Sequence, residues 1–175
     1  MRTVLDLAVL GLVAVSQPAL ALADDKPAEA AAKPTLPDIP APSDVAAPPA
    51  DGEKAKSGLV SKVLSKGAGT AHPTAGCEVK VRYTGWMTDG KLFDTSEKKG
   101  AGFVAQFPID LLIKGWQEGL KLMVAGEKRR MWIPAGLAYG DTPRRPGGPH
   151  GMLVFDVELV DIVAAPEKPA KKGKK

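Results

Sequence analysis

The sequence predicts an α+β domain in which a mainly antiparallel sheet is accompanied by one short helix. Three observations predict it. Val79, Val81 and Tyr83 alternate with Lys80, Arg82 and Thr84, and the same period of two returns across 126–134 and 152–163. Leu112, Trp116 and Leu120 recur at i, i+4 and i+8, so they share one helical face. No strand–helix–strand unit repeats, which excludes a doubly wound parallel sheet.

Taken in order, residues 1–23 read as a signal peptide. Arg2 supplies the positive start, and Leu7–Val15 is an apolar stretch too short to span a bilayer. Ala21-Leu22-Ala23 forms a small-residue cleavage site before Asp24-Asp25, so the mature chain is expected to be periplasmic or secreted. Residues 24–56 are rich in Pro and Ala and contain no aromatic side chain, which predicts an extended, semi-stiff spacer. Residues 57–164 are the expected folded domain. Within it Gly58–Leu64 reads as a first strand, and Gly67-Ala68-Gly69 and the run from His72 to Gly76 as turns. Val79 to Thr84 is a half-buried strand, and Thr88-Asp89-Gly90-Lys91 is a tight turn. The helix around Trp116 keeps Gly115 and Gly119, which cost helix propensity and therefore mark a close approach, here to the sheet. A strand over 126–134 follows, then a Gly/Pro loop over 135–149 carrying Tyr139. The last strand, 152–163, puts Leu153, Phe155, Val157 and Leu159 on one face. Residues 165–175 are a Lys-rich tail without core-forming residues, expected to be disordered.

Several chemistries are excluded. The net charge of +4 owes much to five lysines after Pro166, so the folded part carries no nucleic-acid signature, although the tail suits contact with anionic surfaces. Cys77 is the only cysteine, which removes an intrachain disulfide and a thiolate metal site and leaves it as a small, half-buried strand residue or, without a second cysteine to resolve it, a redox sensor. Gly67-x-Gly69 lacks the third glycine of a dinucleotide loop and any following Gly-Lys-Ser/Thr. His72 and His150 sit in Pro/Gly loops without carboxylate partners, and no Gly-x-Ser-x-Gly elbow occurs. The run Gly126 to Arg130 reads as a solvated strand face rather than a basic patch. No cofactor and no metal are expected.

What remains is aromatic. Tyr83, Phe93, Phe103, Phe107, Trp116, Tyr139 and Phe155 exceed what so small a core needs, and several lie beside turns where a pocket can open. Asp94, in a turn beside Phe93, either orients those walls or accepts backbone N–H groups, and both can hold.

Four runs, in order and in spacing, carry a resemblance. They are Val81-x-Tyr83-Thr84-Gly85-Trp86-x-x-Asp89-Gly90-x-x-Phe93-Asp94-Thr95-Ser96; Ile113-x-Gly115-Trp116-x-Glu118-Gly119; Ile133-Pro134-x-x-x-Ala138-Tyr139-Gly140; and Leu153 to Leu159. Over about residues 57–163 the chain resembles the FKBP-type peptidyl-prolyl cis–trans isomerases. The resemblance implies a twisted antiparallel sheet wrapped around one short helix, with a pocket between them. It implies Tyr83, Phe93, Asp94, Trp116, Tyr139 and Phe155 as the catalytic set, with Trp116 as floor and Asp94 and Tyr139 as polar contacts. Phe103, Leu112 and Ile113 would bind substrate, the Ile113 N–H donating to a carbonyl. The implied partners are proline-containing peptides and unfolded polypeptides, with a macrolide as inhibitor. The run Asp141 to Gly151 departs from the family, lacking its bulky aliphatics and carrying Arg144 and Arg145. Substrate preference, rate and macrolide affinity are therefore not carried over, and Pro149 and His150 are placed at the pocket rim. The alternative function is a chaperone-like peptide-binding module with little turnover.

Overall fold

Alternation builds the longest strands, and the computed structural model describes residues 36–163. The expected signal segment, the first part of the spacer and the tail lie outside these residues. The strands are β1 (Glu53–Lys54), β2 (Val60–Ser65), β3 (Glu78–Met87), β4 (Leu92–Thr95), β5 (Ala105–Pro108), β6 (Lys128–Ile133) and β7 (Leu153–Val163). One helix, α1 (Lys114–Lys121), lies between β5 and β6. All pairings are antiparallel, in the order β1-β2-β6-β7-β3-β4, with β5 sharing the β3 edge beyond β4. β3 and β7 pair along their full lengths, from Glu78↔Val163 to Met87↔Leu153.

Period two then sorts side chains onto two faces. Val79, Val81, Met131, Ile133, Leu153, Phe155, Val157 and Leu159 point to the helix side and form the main core with Leu120 and Met123. The two helical glycines do what their cost implies. A Cβ on Gly115 would overlap the Ile133 side chain, and one on Gly119 would overlap Met131 Sδ, so α1 lies directly on β6. Leu112 falls outside the helix, which begins at Lys114.

The second face is not left to solvent, and here the spacer expected over 24–56 is corrected for residues 36–56. Ile39, Ala41 and Val45 pack against Val60, Trp86, Trp132 and Val154 in a second apolar cluster. Glu53 and Lys54 then pair with β2. The physical reason is the pair of outward-facing tryptophans, which need both cover and an acceptor for each indole N–H. The reading of 126–130 as a solvated strand face is corrected too. Arg129 donates to Glu127, Glu53 and Ser61 on one face, and Arg130 to Asp156 and Asp44 on the other. Only Lys128 of the three basic residues is exposed. Cys77 is buried, its Sγ–H donating to the Thr74 carbonyl.

Candidate functional site

Between the helix and the sheet face that carries the main core lies a pocket of about 280 Å³. It is lined by Tyr83, Phe93, Asp94, Phe107, Leu111, Leu112, Ile113, Trp116, Tyr139 and Phe155. They converge from several elements: Tyr83 from β3, Phe93 and Asp94 from β4, Phe107 from β5, and Phe155 from β7. A short 3₁₀ turn, Ile109–Leu111, delivers Leu112 and Ile113 to the helix start, and Trp116 sits in the first turn of α1. Tyr139 follows a second 3₁₀ turn, Ala135–Leu137.

Two local irregularities make this convergence possible. Gly85 pairs with Asp94 but Trp86 pairs with Leu92, so the register slips at Phe93. The bulge lets consecutive residues Phe93 and Asp94 both reach the pocket, which strict alternation forbids. Gly85 itself removes a side chain from the β3 surface. A Cβ there would lie 2.7 Å from Phe155 Cε1 and 2.9 Å from Phe93 Cζ. The two phenylalanine rings occupy that space, centroids 5.4 Å apart and nearly perpendicular.

Trp116 is the hub. It meets Tyr83 edge-on at 5.2 Å and Phe155 at 5.3 Å, with Phe107 at 6.5 Å. Such edge-to-face pairs add about 0.5–1.5 kcal/mol each beyond area burial. The indole is only 4% exposed, and its N–H has no acceptor among the described residues. The ring is therefore fixed by aromatic contacts rather than by a hydrogen bond.

The polar edge is equally defined. The Tyr83 hydroxyl donates to Asp94 Oδ2 at 3.0 Å. Asp94 Oδ1 accepts from the Thr95 N–H at 2.9 Å and from Lys98 Nζ at 2.5 Å. Asp94 thus serves as turn acceptor and as orienter of Tyr83 at once. Thr95 and Ser96 hydroxyls donate to the Tyr83 carbonyl, and the Tyr83 N–H donates back to Ser96 Oγ. Burial, then the Asp94 carboxylate, hold the Tyr83 phenol well above its ordinary range. Tyr139 is raised by burial and by Asp94, with Arg144 opposing. Both phenols stay neutral hydrogen-bond donors throughout the neutral range.

Of the residues expected at the site, Tyr83, Phe93, Asp94, Leu112, Ile113, Trp116, Tyr139 and Phe155 are brought together. Phe103, Pro149 and His150 are not. Phe103 precedes β5, follows the positive-φ Gly102, is 36% exposed and lies under Lys99 Nζ. Phe107, two strand periods later, supplies the wall instead. The 141–151 loop is pinched at its neck by Gly151 N–H donating to the Gly140 carbonyl, and His150 Nδ1 lies 2.9 Å from the Gly148 carbonyl. Neither Pro149 nor His150 lines the pocket. Leu111, 81% exposed at the rim, carries no sequence signal that would have singled it out.

The family model described as FKBP-type peptidyl-prolyl cis-trans isomerase matches residues 69–160. The chain belongs to this family. FkpA of Aeromonas hydrophila, named an FKBP-type peptidyl-prolyl cis-trans isomerase, is 44% identical over 118 residues, covering 67% of this chain and 41% of that protein. The outer membrane protein MIP of Legionella longbeachae is 43% identical over 112 residues, 62% of this chain and 46% of that protein. The chain thus spans less than half the length of these two relatives. The crystal structure of Escherichia coli FkpA superposes with a TM-score of 0.60 at 39% identity, covering 67% of this chain and 54% of that one. The FKBP fold therefore accounts for the sheet, the helix and the cleft between them.

Proposed function

We propose that this FKBP domain catalyses cis–trans isomerisation of X–Pro bonds during the folding of exported proteins. The observation that carries the proposal is the pocket: six aromatic side chains, with the Tyr83–Asp94 hydrogen bond at its edge and no Ser, Cys or His in the lining. Its volume of about 280 Å³ is at the small end for ligand sites, which suits one prolyl ring and its adjacent amide.

The chemistry needs no proton transfer. Rotation about the bond costs about 18–20 kcal/mol because amide resonance is lost midway. The twisted carbonyl carries less separated charge than the planar amide. A desolvated aromatic pocket therefore binds it better than the ground state, as rate acceleration requires. In this reading Trp116 is the floor under the prolyl ring, and Tyr83, Phe93, Phe107 and Phe155 are the walls. Tyr139 offers its hydroxyl to the substrate at the mouth. The Ile113 N–H has no acceptor among the described residues and is available to a substrate carbonyl.

Exchange NMR on an X–Pro peptide tests this. Faster cis–trans exchange that a macrolide inhibits, and that falls with Tyr139→Ala and Asp94→Ala, supports it. No acceleration by folded protein overturns it. The exposed 141–147 loop and Leu111 favour a second reading, capture of unfolded chains without turnover. Saturable binding unaffected by the same two substitutions would select it.

The export assignment rests on the apolar run Leu7–Val15 and the site before Asp24. A mature chain beginning at Asp24 supports it, and recovery of intact Met1 opposes it. The Lys-rich tail is assigned to anionic surfaces, so binding to anionic vesicles should vanish on deleting 165–175 and weaken with salt.

A further inference from the structure

The outer face of the sheet, away from the pocket, treats residues 36–45 as a ligand rather than as a strand. The segment Leu36-Pro37-Asp38-Ile39-Pro40-Ala41-Pro42-Ser43-Asp44-Val45 adds no ladder to the sheet. Its three prolines remove backbone donors, so what it presents is carbonyls and side chains. The face reads both. Trp86 Nε1 donates to the Ile39 carbonyl at 3.2 Å, and Trp132 Nε1 to the Asp44 carbonyl at 3.0 Å. Arg130, held by Asp156 through bonds of 2.5 and 2.8 Å, also donates to the Asp44 carboxylate. Val45 is buried on the same cluster, with Ile39 and Ala41 half-buried beside it. The Val45 N–H donates to the Pro42 carbonyl and closes a turn that presents Asp44 to Arg130 and Trp132. Indole donors aimed at the carbonyls of a proline-rich chain, with apolar contacts between, are also how aromatic-lined grooves hold prolyl segments. A groove of about 510 Å³ runs along the segment, with Ile39 to Pro42 on one wall and Arg82, Lys128 and Glu158 on the other.

We infer that this outer face is a second, non-catalytic recognition site for a proline-rich segment that ends in a turn carrying an Asp followed by an aliphatic residue, and that residues 36–45 occupy it in cis. The inference is independent of the isomerase reading, because none of the side chains that read the segment lines the pocket. Trp86 and Trp132 supply the register, their two acceptors lying five residues apart. Arg130 supplies the selectivity for Asp44. The connection over 46–51, mostly exposed, is the tether.

The test uses the full chain with a specific protease site inserted between Ala46 and Ala47, cut after folding. The severed N-terminal piece should co-elute with the domain. Excess synthetic peptide of residues 36–45 should displace it, while the same peptide carrying Asp44→Ala should compete about tenfold less well or worse. Immediate separation with unchanged tryptophan emission on adding peptide overturns the site. So does a severed piece that no peptide displaces, or equal competition by the Asp44→Ala peptide. A second measurement needs no insertion. In the intact Asp44→Ala chain, indole N–H exchange at Trp86 and Trp132 should accelerate at least tenfold while the Val79 and Val81 amides keep their protection. If indoles and β3 amides exchange together, the segment is core and the inference fails. A dimer of the intact chain that the peptide converts to monomer would place the segment on a second copy and overturn the cis arrangement.

Discussion

A methyl group on Gly85 would lie 2.7 Å from Phe155 Cε1 and 2.9 Å from Phe93 Cζ. Carbon–carbon contacts settle at about 3.5 Å or more, so the two rings must retreat by about 0.6–0.8 Å. Phe155 has nowhere to go: it is 3% exposed and packs edge-on against Trp116. Overpacking of this kind costs about 1–3 kcal/mol. Alanine returns about 0.4–1 kcal/mol through the unfolded chain. The net loss expected for Gly85→Ala is up to about 2.6 kcal/mol, read as a lower urea midpoint at unchanged slope. Because both displaced rings are pocket walls, kcat/KM for an X–Pro peptide should fall about 10- to 100-fold. Gly136→Ala is the control, since a Cβ there meets nothing within 4 Å and should stay within about 0.5 kcal/mol. A Gly85→Ala enzyme with wild-type midpoint and rate refutes the packing argument. A lowered midpoint with wild-type rate refutes the step from ring position to catalysis.

Three further substitutions or conditions follow from the geometry. Gly119→Ala should destabilise although alanine gains about 1 kcal/mol in helix propensity, because its Cβ overlaps Met131 Sδ; a higher thermal midpoint would mean that α1 can lift off β6. Tyr83→Phe removes the donor to Asp94 Oδ2 and should cost about 0.5–1.5 kcal/mol, with a drop in exchange rate seen by NMR. Tyr83 and Tyr139 hold their protons in the folded state at pH values where the unfolded chain releases them, so stability is full below about pH 10 and falls above it. Urea midpoints from pH 8 to 11 should show that slope, and the double Tyr83→Phe, Tyr139→Phe chain should flatten it.

The inner face was legible because its signals are periodic. Val79, Val81 and Tyr83 announce β3, and two helical glycines announce contact with a sheet that the structure identifies as β6. What sequence reading missed has specific physical causes. Phe103 and Phe107 have the same parity, but β5 begins only at Ala105, after the Gly102 turn, so parity does not reach back to Phe103. The bulge at Phe93 depends on pairing across strands and leaves no local pattern. Residues 36–45 look like a spacer because their acceptors are backbone carbonyls, which every sequence has. Only the positions of Trp86 and Trp132 reveal that they are used.

The three tryptophans argue that the two faces of the sheet work separately. Trp116 has no acceptor for its N–H among the described residues and is held by rings; Trp86 and Trp132 each hold a carbonyl of the outer segment. Yet inner and outer residues alternate on the same strands, Gly85 beside Trp86 and Phe155 beside Asp156. Coupling would have to pass through the β3–β7 backbone. That backbone is paired from end to end apart from one register shift at Lys80/Val81, away from Gly85 and Phe155, and around those two residues both strands are also bonded to their outer neighbours. Loosening the outer segment should therefore leave it in place. Asp44→Ala should lower stability through the lost Arg130 contact while the isomerisation rate changes less than about twofold. Combined with Gly85→Ala, its stability cost should add to within about 0.5 kcal/mol, as for substitutions without shared partners. A larger interaction energy in that double-mutant cycle would show that the sheet transmits strain between its faces.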